Sequence, residues 1–166
     1  MTTDLQDADA AVPPVEVVLL RVGDGAGSAR LAVPMAVVDE VGRPPGLTRV
    51  PGLPAWVAGV ANWRGRVLAV LDLAPLLGTG PARPGTRGRL VVLSSGGVTV
   101  ALLVQAVDGT VLVAPDAVEP PLASLSSAAG SLLSGQVTDD AGPYGLADVT
   151  ALFALADTLP RPRRAG

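Results

Sequence analysis

Hydrophobic residues occur along this chain in short blocks that are separated by clusters of Gly, Pro, Asp and Ser. Val and Leu dominate the blocks, which is typical of short strands with at least one buried face. The pattern predicts strands at residues 15–22, 30–33, 47–50, 60–62, 67–71, 90–93, 98–104, 107–113, 132–137 and 144–149. Short strands at this spacing indicate a β-barrel or a β-sandwich.

Several connections between the blocks are predicted to be tight turns. Residues 23–27 resemble a phosphate-binding loop in composition, but a strand follows them instead of a helix, so a hairpin is the better interpretation. The Gly96-Gly97 pair is predicted to be the turn of another hairpin. Residues 63–66 are predicted to form a tight turn between two further strands.

Helical segments are predicted to be few and short. Residues 34–41, which begin with Pro, and residues 55–59 are each interpreted as helical turns. Asp72 is predicted to cap a short helix over residues 73–77. Leucine and alanine recur at helical spacing over residues 148–159, which predicts a C-terminal helix.

The blocks fall into two groups separated by residues 79–88, which lack apolar periodicity and are interpreted as a linker. The predicted organisation is therefore a disordered acidic leader over residues 1–14, lobes over residues 15–78 and 89–157, and a basic tail over residues 158–166. Helical turns interrupt the succession of strands, so two small barrels fit better than one sandwich. The pattern leaves open which strands belong to which barrel, because a chain can cross between barrels before it closes them.

The composition excludes most catalytic and metal-binding chemistry. The chain has no Cys and no His, and its 12 basic residues are all Arg. A thiolate zinc site, a Ser-His-Asp triad, a Schiff base and a P-loop therefore cannot be built. We expect no catalytic residue, no metal site and no cofactor. An enzyme alternative, a His-free carboxylate hydrolase in a barrel cleft, lacks paired carboxylates beside aromatic residues.

Charge and hydropathy limit the expected partners. The net charge is −3 at pH 7, so the chain lacks the basic field that nucleic-acid binding requires. No apolar run reaches the length of about 20 residues that a membrane-spanning helix needs. We expect a cytoplasmic protein that binds no nucleic acid and does not insert into a membrane.

The segment Gly59-Val60-Ala61-Asn62-Trp63-Arg64-Gly65, followed by an apolar strand and Asp72-Leu73, resembles the central signature of CheW-like domains. Upstream, Val38-Asp39-Glu40-Val41 is similar to another family segment, as are Pro51, Pro54 and Trp56 in the loop before the signature. One departure is Gln105, which stands where the family motif has Asp. The resemblance covers about residues 15–157.

This resemblance implies a mainly β fold with short helices, in which two SH3-like five-stranded barrels pack together and a C-terminal helix follows. It implies a non-catalytic chemotaxis adaptor that couples chemoreceptors to a CheA-type histidine kinase. The receptor tip would lie in the groove between the barrels, and the kinase regulatory domain would dock at the barrel ends, which places the adaptor at membrane-associated receptor arrays. A CheW-like scaffold for another kinase array, in surface motility or development, is the alternative.

The candidate partner-binding residues are Val38, Glu40, Gly59, Asn62, Arg64, Val91 and Leu93. For Arg64, contact with a partner and an internal clamp to Glu40 both stay open. Asn62 is interpreted mainly as a turn cap. The resemblance places Val38, on a helical turn, and residues 91–93 as walls of the groove, with Gly59 at its floor; a positive φ at Gly59 is the competing explanation.

Overall fold

The computed structural model describes residues 12–24, 27–79, 88–121 and 127–160 and contains ten strands there. The strands are β1 Val15–Val22, β2 Ala29–Pro34, β3 Val38–Gly42, β4 Val57–Trp63, β5 Arg66–Leu71, β6 Arg89–Ser95, β7 Val98–Val104, β8 Ala106–Val113, β9 Leu133–Asp139 and β10 Gly142–Ala147. The helices are α1 Ala74–Leu77, α2 Ser127–Ser131 and α3 Val149–Asp157, with 3-10 turns at Met35–Val37 and Pro115–Ala117.

The strands form two five-stranded sheets, which we call barrel 1 and barrel 2. Barrel 1 has the strand order β8-β1-β2-β10-β9, and barrel 2 has the order β3-β6-β7-β5-β4. Each sheet contains one parallel pair, β2 with β10 in barrel 1 and β5 with β7 in barrel 2. The predicted architecture of two small five-stranded units with a C-terminal helix is confirmed.

The chain crosses between the barrels twice. It enters barrel 2 through the 3-10 turn Met35–Val37 and returns at Gln105, whose backbone N–H donates to the carbonyl of Arg21 at 2.8 Å. Each barrel therefore takes strands from both sides of residues 79–88, and the sheets do not follow the predicted lobes 15–78 and 89–157. Long-range strand pairing decides this, antiparallel for β1 with β8 and β3 with β6 and parallel for β2 with β10 and β5 with β7, and local patterns carry no signal for it. Residues 1–11, 80–87 and 161–166 of the predicted leader, linker and tail lie outside the described residues.

The two barrels repeat one pairing scheme. In barrel 2, Gly59 pairs with Val70. In barrel 1, Gly135 pairs with Leu146 in the equivalent hairpin. Both hairpins are irregular at the same place, and both lead into a helix after an aspartate. Residues 57–72 and 133–148 therefore form an internal structural repeat, which the sequence pattern did not reveal.

An aspartate caps each of two helices, Asp72 as predicted and Asp148 without a prediction from the sequence. The carboxylate of Asp72 accepts from the N–H of Ala74 at 3.0 Å, and Asp148 accepts from the N–H of Ala151 at 3.1 Å. Such contacts satisfy N–H groups that have no partner within the helix itself. The predicted short helix and C-terminal helix are confirmed, with shorter bounds than expected.

Of two other helical predictions, that for residues 34–41 is right only for one short turn and that for residues 55–59 is wrong. Only Met35–Val37 is helical within residues 34–41, and Val38–Gly42 forms strand β3 against β6. Residues 55–56 form a turn, and β4 begins at Val57. Both segments contain β-branched valines and have a strand partner within reach, so sheet pairing overrides the local helical pattern.

The core has three parts, because strand residues alternate between two faces. One face of each sheet fills its own barrel, as with Leu19 and Tyr144 in barrel 1 and Leu68 and Val92 in barrel 2. The other faces meet in a larger shared cluster. That cluster contains Leu20, Leu31, Leu71, Leu93, Leu102 and Leu152. The barrels are therefore held together by continuous apolar packing.

Candidate partner-binding surface

An ion pair between Glu40 and Arg64 joins β3 to the hairpin between β4 and β5. The Nε of Arg64 lies 2.8 Å from both carboxylate oxygens of Glu40, and Nη2 of Arg64 contacts Oε1. The side chain of Arg64 is 72% exposed, whereas that of Glu40 is 29% exposed. A guanidinium carries five N–H donors, and the bonds to Glu40 use only those of Nε and Nη2, so this exposed side chain keeps donors for an acceptor on another molecule. The internal clamp anticipated from the sequence is present.

The turn that carries Arg64 has a conformation that few sequences adopt. Arg64 has φ +50° and is the only non-glycine residue with positive φ among the described residues, and Gly65 follows with φ +78°. Two successive positive φ values match the right-handed twist of a two-residue hairpin. The side-chain oxygen of Asn62 accepts from the N–H of Gly65 at 3.1 Å. Asn62 therefore acts as a turn cap and fixes the place of Arg64.

Trp63 contributes to this cluster in a way that the sequence analysis did not anticipate. Its indole Nε1–H donates to Oε2 of Glu40 at 3.0 Å, and the guanidinium carbon of Arg64 lies 5.8 Å from the centre of its ring. The aromatic face favours a cation at this distance. Trp63 is half-buried and is therefore more than the core anchor that tryptophan usually provides.

Hydrogen bonds hold the pKa of Glu40 below its usual range, first from Arg64 and then from Trp63. A carboxyl with a lowered folded-state pKa stabilises the fold above its unfolded pKa of about 4.3, and loses that contribution as pH falls through its folded value. Wild type should lose stability when the pH falls from 6 to below the folded-state pKa of Glu40. We expect this loss to be smaller in Glu40→Gln, which has no carboxylate to protonate at this position. Urea unfolding at both pH values measures this, with Glu16→Gln, exposed on β1, as the control.

Equal pH dependence of Glu40→Gln and wild type would contradict the prediction. Another ion pair, Arg30 with Asp139 at 2.8 Å, also lowers the pKa of its carboxyl. That pair is intact in both wild type and Glu40→Gln, so its contribution to the pH dependence of stability cancels when the two proteins are compared.

The predicted groove walls differ in exposure. Val38 is half-buried at the edge of the shared core, on a strand instead of the predicted helical turn. Val91 and Leu93 are 0% exposed and belong to the core between the barrels, so they cannot contact a partner directly. Val107 on β8 is half-buried at the same core, on the edge strand of barrel 1 that corresponds to β3. The local pattern gives no sign that Val107 corresponds in position to β3, because the equivalence of β3 and β8 is visible only in the sheet order.

Gly59 packs against the backbone of Thr48 and also lines a cleft beside the start of β4. It has φ +149°, and a Cβ there would lie 2.6 Å from the carbonyl oxygen of Thr48. Thr48 and Val60 form an isolated antiparallel bridge at this point, with both backbone hydrogen bonds at 2.9 Å. This geometry fits the positive-φ explanation for the glycine.

Each barrel has a cleft at one end. The cleft of barrel 1, about 330 Å³, is lined mostly by apolar side chains. They include Val15, Val113, Val118 and Leu146. The cleft of barrel 2, about 460 Å³, lies beside residues 49–59, of which Arg49 supplies a charge. The two clefts have different linings: residues of several strands line the first, and only the segment that leads into β4 and the first residues of β4 line the second.

The described part of the chain offers no group of three or more acidic side chains that could hold a metal ion. In the same ranges, no helix combines the length and the apolarity needed to cross a membrane.

Comparison with known proteins identifies the family. Residues 16–157 match the CheW-like domain. The chain belongs to the CheW-like domain family. The chain is 31% identical over 139 residues to the probable chemotaxis protein CheW of Rhizobium etli, which covers 84% of this chain and 87% of that protein. The resemblance anticipated from the signature around Arg64 is thereby confirmed.

Other CheW-like relatives match over shorter segments. FrzA of Myxococcus xanthus is 43% identical over 112 residues, which are 68% of this chain and 65% of FrzA. PilI of Pseudomonas aeruginosa is 38% identical over 88 residues, which are 53% of this chain and 49% of PilI. The match therefore spans less than two thirds of either relative.

The fold is also that of a solved CheW structure. The scaffolding protein TtCheW from Thermoanaerobacter tengcongensis superposes with a TM-score of 0.69 at 20% identity, over 82% of this chain and 90% of that one. At this identity the likeness concerns the fold alone. It supports the description of the two sheets as SH3-like subdomains.

Proposed function

We propose that this CheW-like chain is a non-catalytic signalling adaptor that couples chemoreceptors to a CheA-type histidine kinase. On this proposal it acts in the cytoplasm and is recruited to membrane-associated receptor arrays. The observation that carries the proposal is the Glu40–Arg64 pair, which holds an exposed guanidinium in a fixed place within the family signature. A guanidinium fork suits a carboxylate or a helix C-terminal carbonyl on a partner.

The receptor tip is assigned to the boundary between the barrels. Val38 and Val107 are half-buried there, on corresponding edge strands, with Glu40 beside Val38. A helical hairpin requires an apolar stripe with a polar border, and this arrangement offers both. Val91 and Leu93 would support this surface from beneath, as core residues.

The kinase regulatory domain is assigned to the barrel-end clefts. The apolar cleft of barrel 1 can take one or two hydrophobic side chains of a partner, and the cleft of barrel 2 adds the charge of Arg49. Buried apolar anchors with a polar border are the usual energetic centres of protein interfaces. Two clefts at different barrels allow one adaptor to contact two kinase domains.

We expect Arg64→Ala to weaken assembly of the complex with receptor fragment and kinase about tenfold, because a charge-assisted contact is lost. Isothermal titration with the receptor cytoplasmic fragment and with the kinase regulatory domain measures the effect separately for each partner. Thermal unfolding followed by circular dichroism reports the stability of the same variant.

Arg30→Ala is the matched control for this experiment. Arg30 also forms an ion pair, with Asp139 in barrel 1, and it stacks 5.4 Å from the ring centre of Tyr144. It lies away from the proposed contacts, so its loss should affect stability but not binding. Normal binding by folded Arg64→Ala would overturn the role of Arg64 in partner contact and leave it as an internal clamp.

A scaffold for a kinase array outside chemotaxis is the second candidate. FrzA and PilI match at 43% and 38% identity, and neither name refers to chemotaxis. Titrating the chain against each CheA-type kinase of its own genome decides between the candidates. Binding that is restricted to a kinase encoded away from chemotaxis genes would favour the candidate function outside chemotaxis.

A further inference from the structure

Side chains of β4 and its hairpin reach across to β3, the opposite edge strand of barrel 2. The strand order β3-β6-β7-β5-β4 places these two strands at the two edges of the sheet. Arg64 and Trp63 nevertheless both bond to the carboxylate of Glu40 on β3. We call Trp63, Arg64, Glu40 and Gly42 the clasp, because they join the two edges and close the barrel at this end.

Gly42 makes room for the indole. A Cβ at this position would overlap Cη2 of Trp63 and lie 3.0 Å from Cζ2. The six-membered ring of Trp63 therefore rests directly on the backbone of β3. No positive φ is involved at Gly42, so the absence of a side chain serves the contact with the indole and not the backbone conformation.

The clasp is not a general requirement of this fold, since barrel 1 lacks it. The residue of barrel 1 that corresponds to Trp63 is Asp139, because Asp139 pairs with Gly142 as Trp63 pairs with Arg66. The carboxylate of Asp139 bonds to Arg30 on β2, in the middle of the sheet, instead of reaching the edge strand β8. Barrel 1 is therefore built without an aromatic contact of this kind.

We propose that Trp63 is a positioning residue: seated on Gly42, it holds Glu40 in the conformation that pairs with Arg64, and so presents Arg64 to a partner helix. The indole N–H donates to Oε2 of Glu40, and Nε of Arg64 donates to both carboxylate oxygens, so two side chains fix the carboxylate. Because Arg64 is 72% exposed, this fixation is what orders its guanidinium. The proposal rests on the proposed function of this surface in partner binding.

Trp63→Phe tests the hydrogen bond while keeping an aromatic ring. We expect the pKa of Glu40, followed by carbon NMR of the labelled carboxyl, to rise toward its ordinary value. We expect the dissociation constant that folded Trp63→Phe shows for the receptor fragment to increase about fivefold, together with the loss of thermal stability that accompanies a lost hydrogen bond. Trp56→Phe is the matched control, because Trp56 packs on the shared core and takes no part in the clasp.

Gly42→Ala tests the contact between the indole ring and the backbone of Gly42, with Trp63, Glu40 and Arg64 all present. We expect it to displace the ring and to reproduce both the raised Glu40 pKa and the weaker receptor binding of Trp63→Phe. Gly46→Ala is its control, because a Cβ at Gly46 meets nothing within 4 Å. In the Trp63→Phe background the Gly42→Ala change should have little further effect, since the overlapping ring atoms are gone.

The double variant Trp63→Phe/Glu40→Gln tests whether Trp63 acts through Glu40. It should bind the receptor fragment no more weakly than Glu40→Gln alone. Additive losses of binding in the double variant would overturn the positioning role. Unchanged binding by Trp63→Phe and Gly42→Ala, despite a raised Glu40 pKa, would overturn it as well. Either result leaves the proposed function intact. Normal binding by both Glu40→Gln and Arg64→Ala would instead overturn the function proposed for this surface.

Discussion

Gly59→Asp is expected to unfold the protein and to abolish binding of receptor and kinase together. A side chain at φ +149° is strained, and its Cβ would lie 2.6 Å from the carbonyl oxygen of Thr48. The strain alone costs about 1–3 kcal/mol, and the carboxylate would face a carbonyl oxygen without a partner. Since domains of this size are stable by only about 5–15 kcal/mol, the combined loss is decisive.

Circular dichroism and parallel titrations with the receptor fragment and the kinase regulatory domain measure the outcome. Gly46→Asp serves as the control, because the position has open space and no positive φ. A folded Gly59→Asp protein that binds kinase but not receptor would contradict the structural explanation. It would instead restore the interpretation of Gly59 as the floor of the receptor groove.

Leu93→Ala is expected to destabilise the whole protein by about 3 kcal/mol. Leu93 is 0% exposed and lies in the cluster shared by both barrels, so its truncation removes buried apolar surface and leaves a cavity. The same cluster contains residues of both sheets, so the barrels should lose stability together in one transition. Urea unfolding followed by circular dichroism and by tryptophan fluorescence measures the midpoint and its cooperativity.

Leu112→Ala provides the matched control for that prediction. Leu112 is 68% exposed on β8, so the same change should alter the free energy of unfolding by less than about 0.5 kcal/mol. Two separate transitions in Leu93→Ala, or equal effects of the two substitutions, would show that the barrels do not depend on a common core. The wild-type receptor affinity should persist in the folded fraction of Leu93→Ala, because Leu93 supports the surface without reaching it.

The hairpin between β4 and β5 shows how far local sequence leads. Asn62, Arg64 and Gly65 predicted a tight turn with an exposed arginine, and the structure has that turn with Asn62 bonded to Gly65. Turn chemistry acts over three or four residues, so the residues themselves carry the signal. The aspartate cap at Asp72 was predicted for the same reason.

The segment around Val38 shows where local sequence fails. Its proline and its spacing suggested a helix, yet Val38–Gly42 is a strand because β6 is beside it. The family resemblance placed Val91 and Leu93 as walls of a groove, and in the structure both are core residues. Burial depends on which sheet covers a strand, and that information is not present in the strand itself.

The sequence by itself determined that this protein is built from short strands, that it belongs with CheW-like domains, and that it lacks the side chains of most catalytic and metal sites. The spacing of hydrophobic residues, the residues of the turns and the composition are local properties, and they are the same whichever strands pair with each other. Only the tertiary structure decided which strands form each barrel and that Trp63 rests on Gly42 beside Glu40. Those contacts join residues far apart in the chain, so only pairing and packing across the whole molecule can specify them.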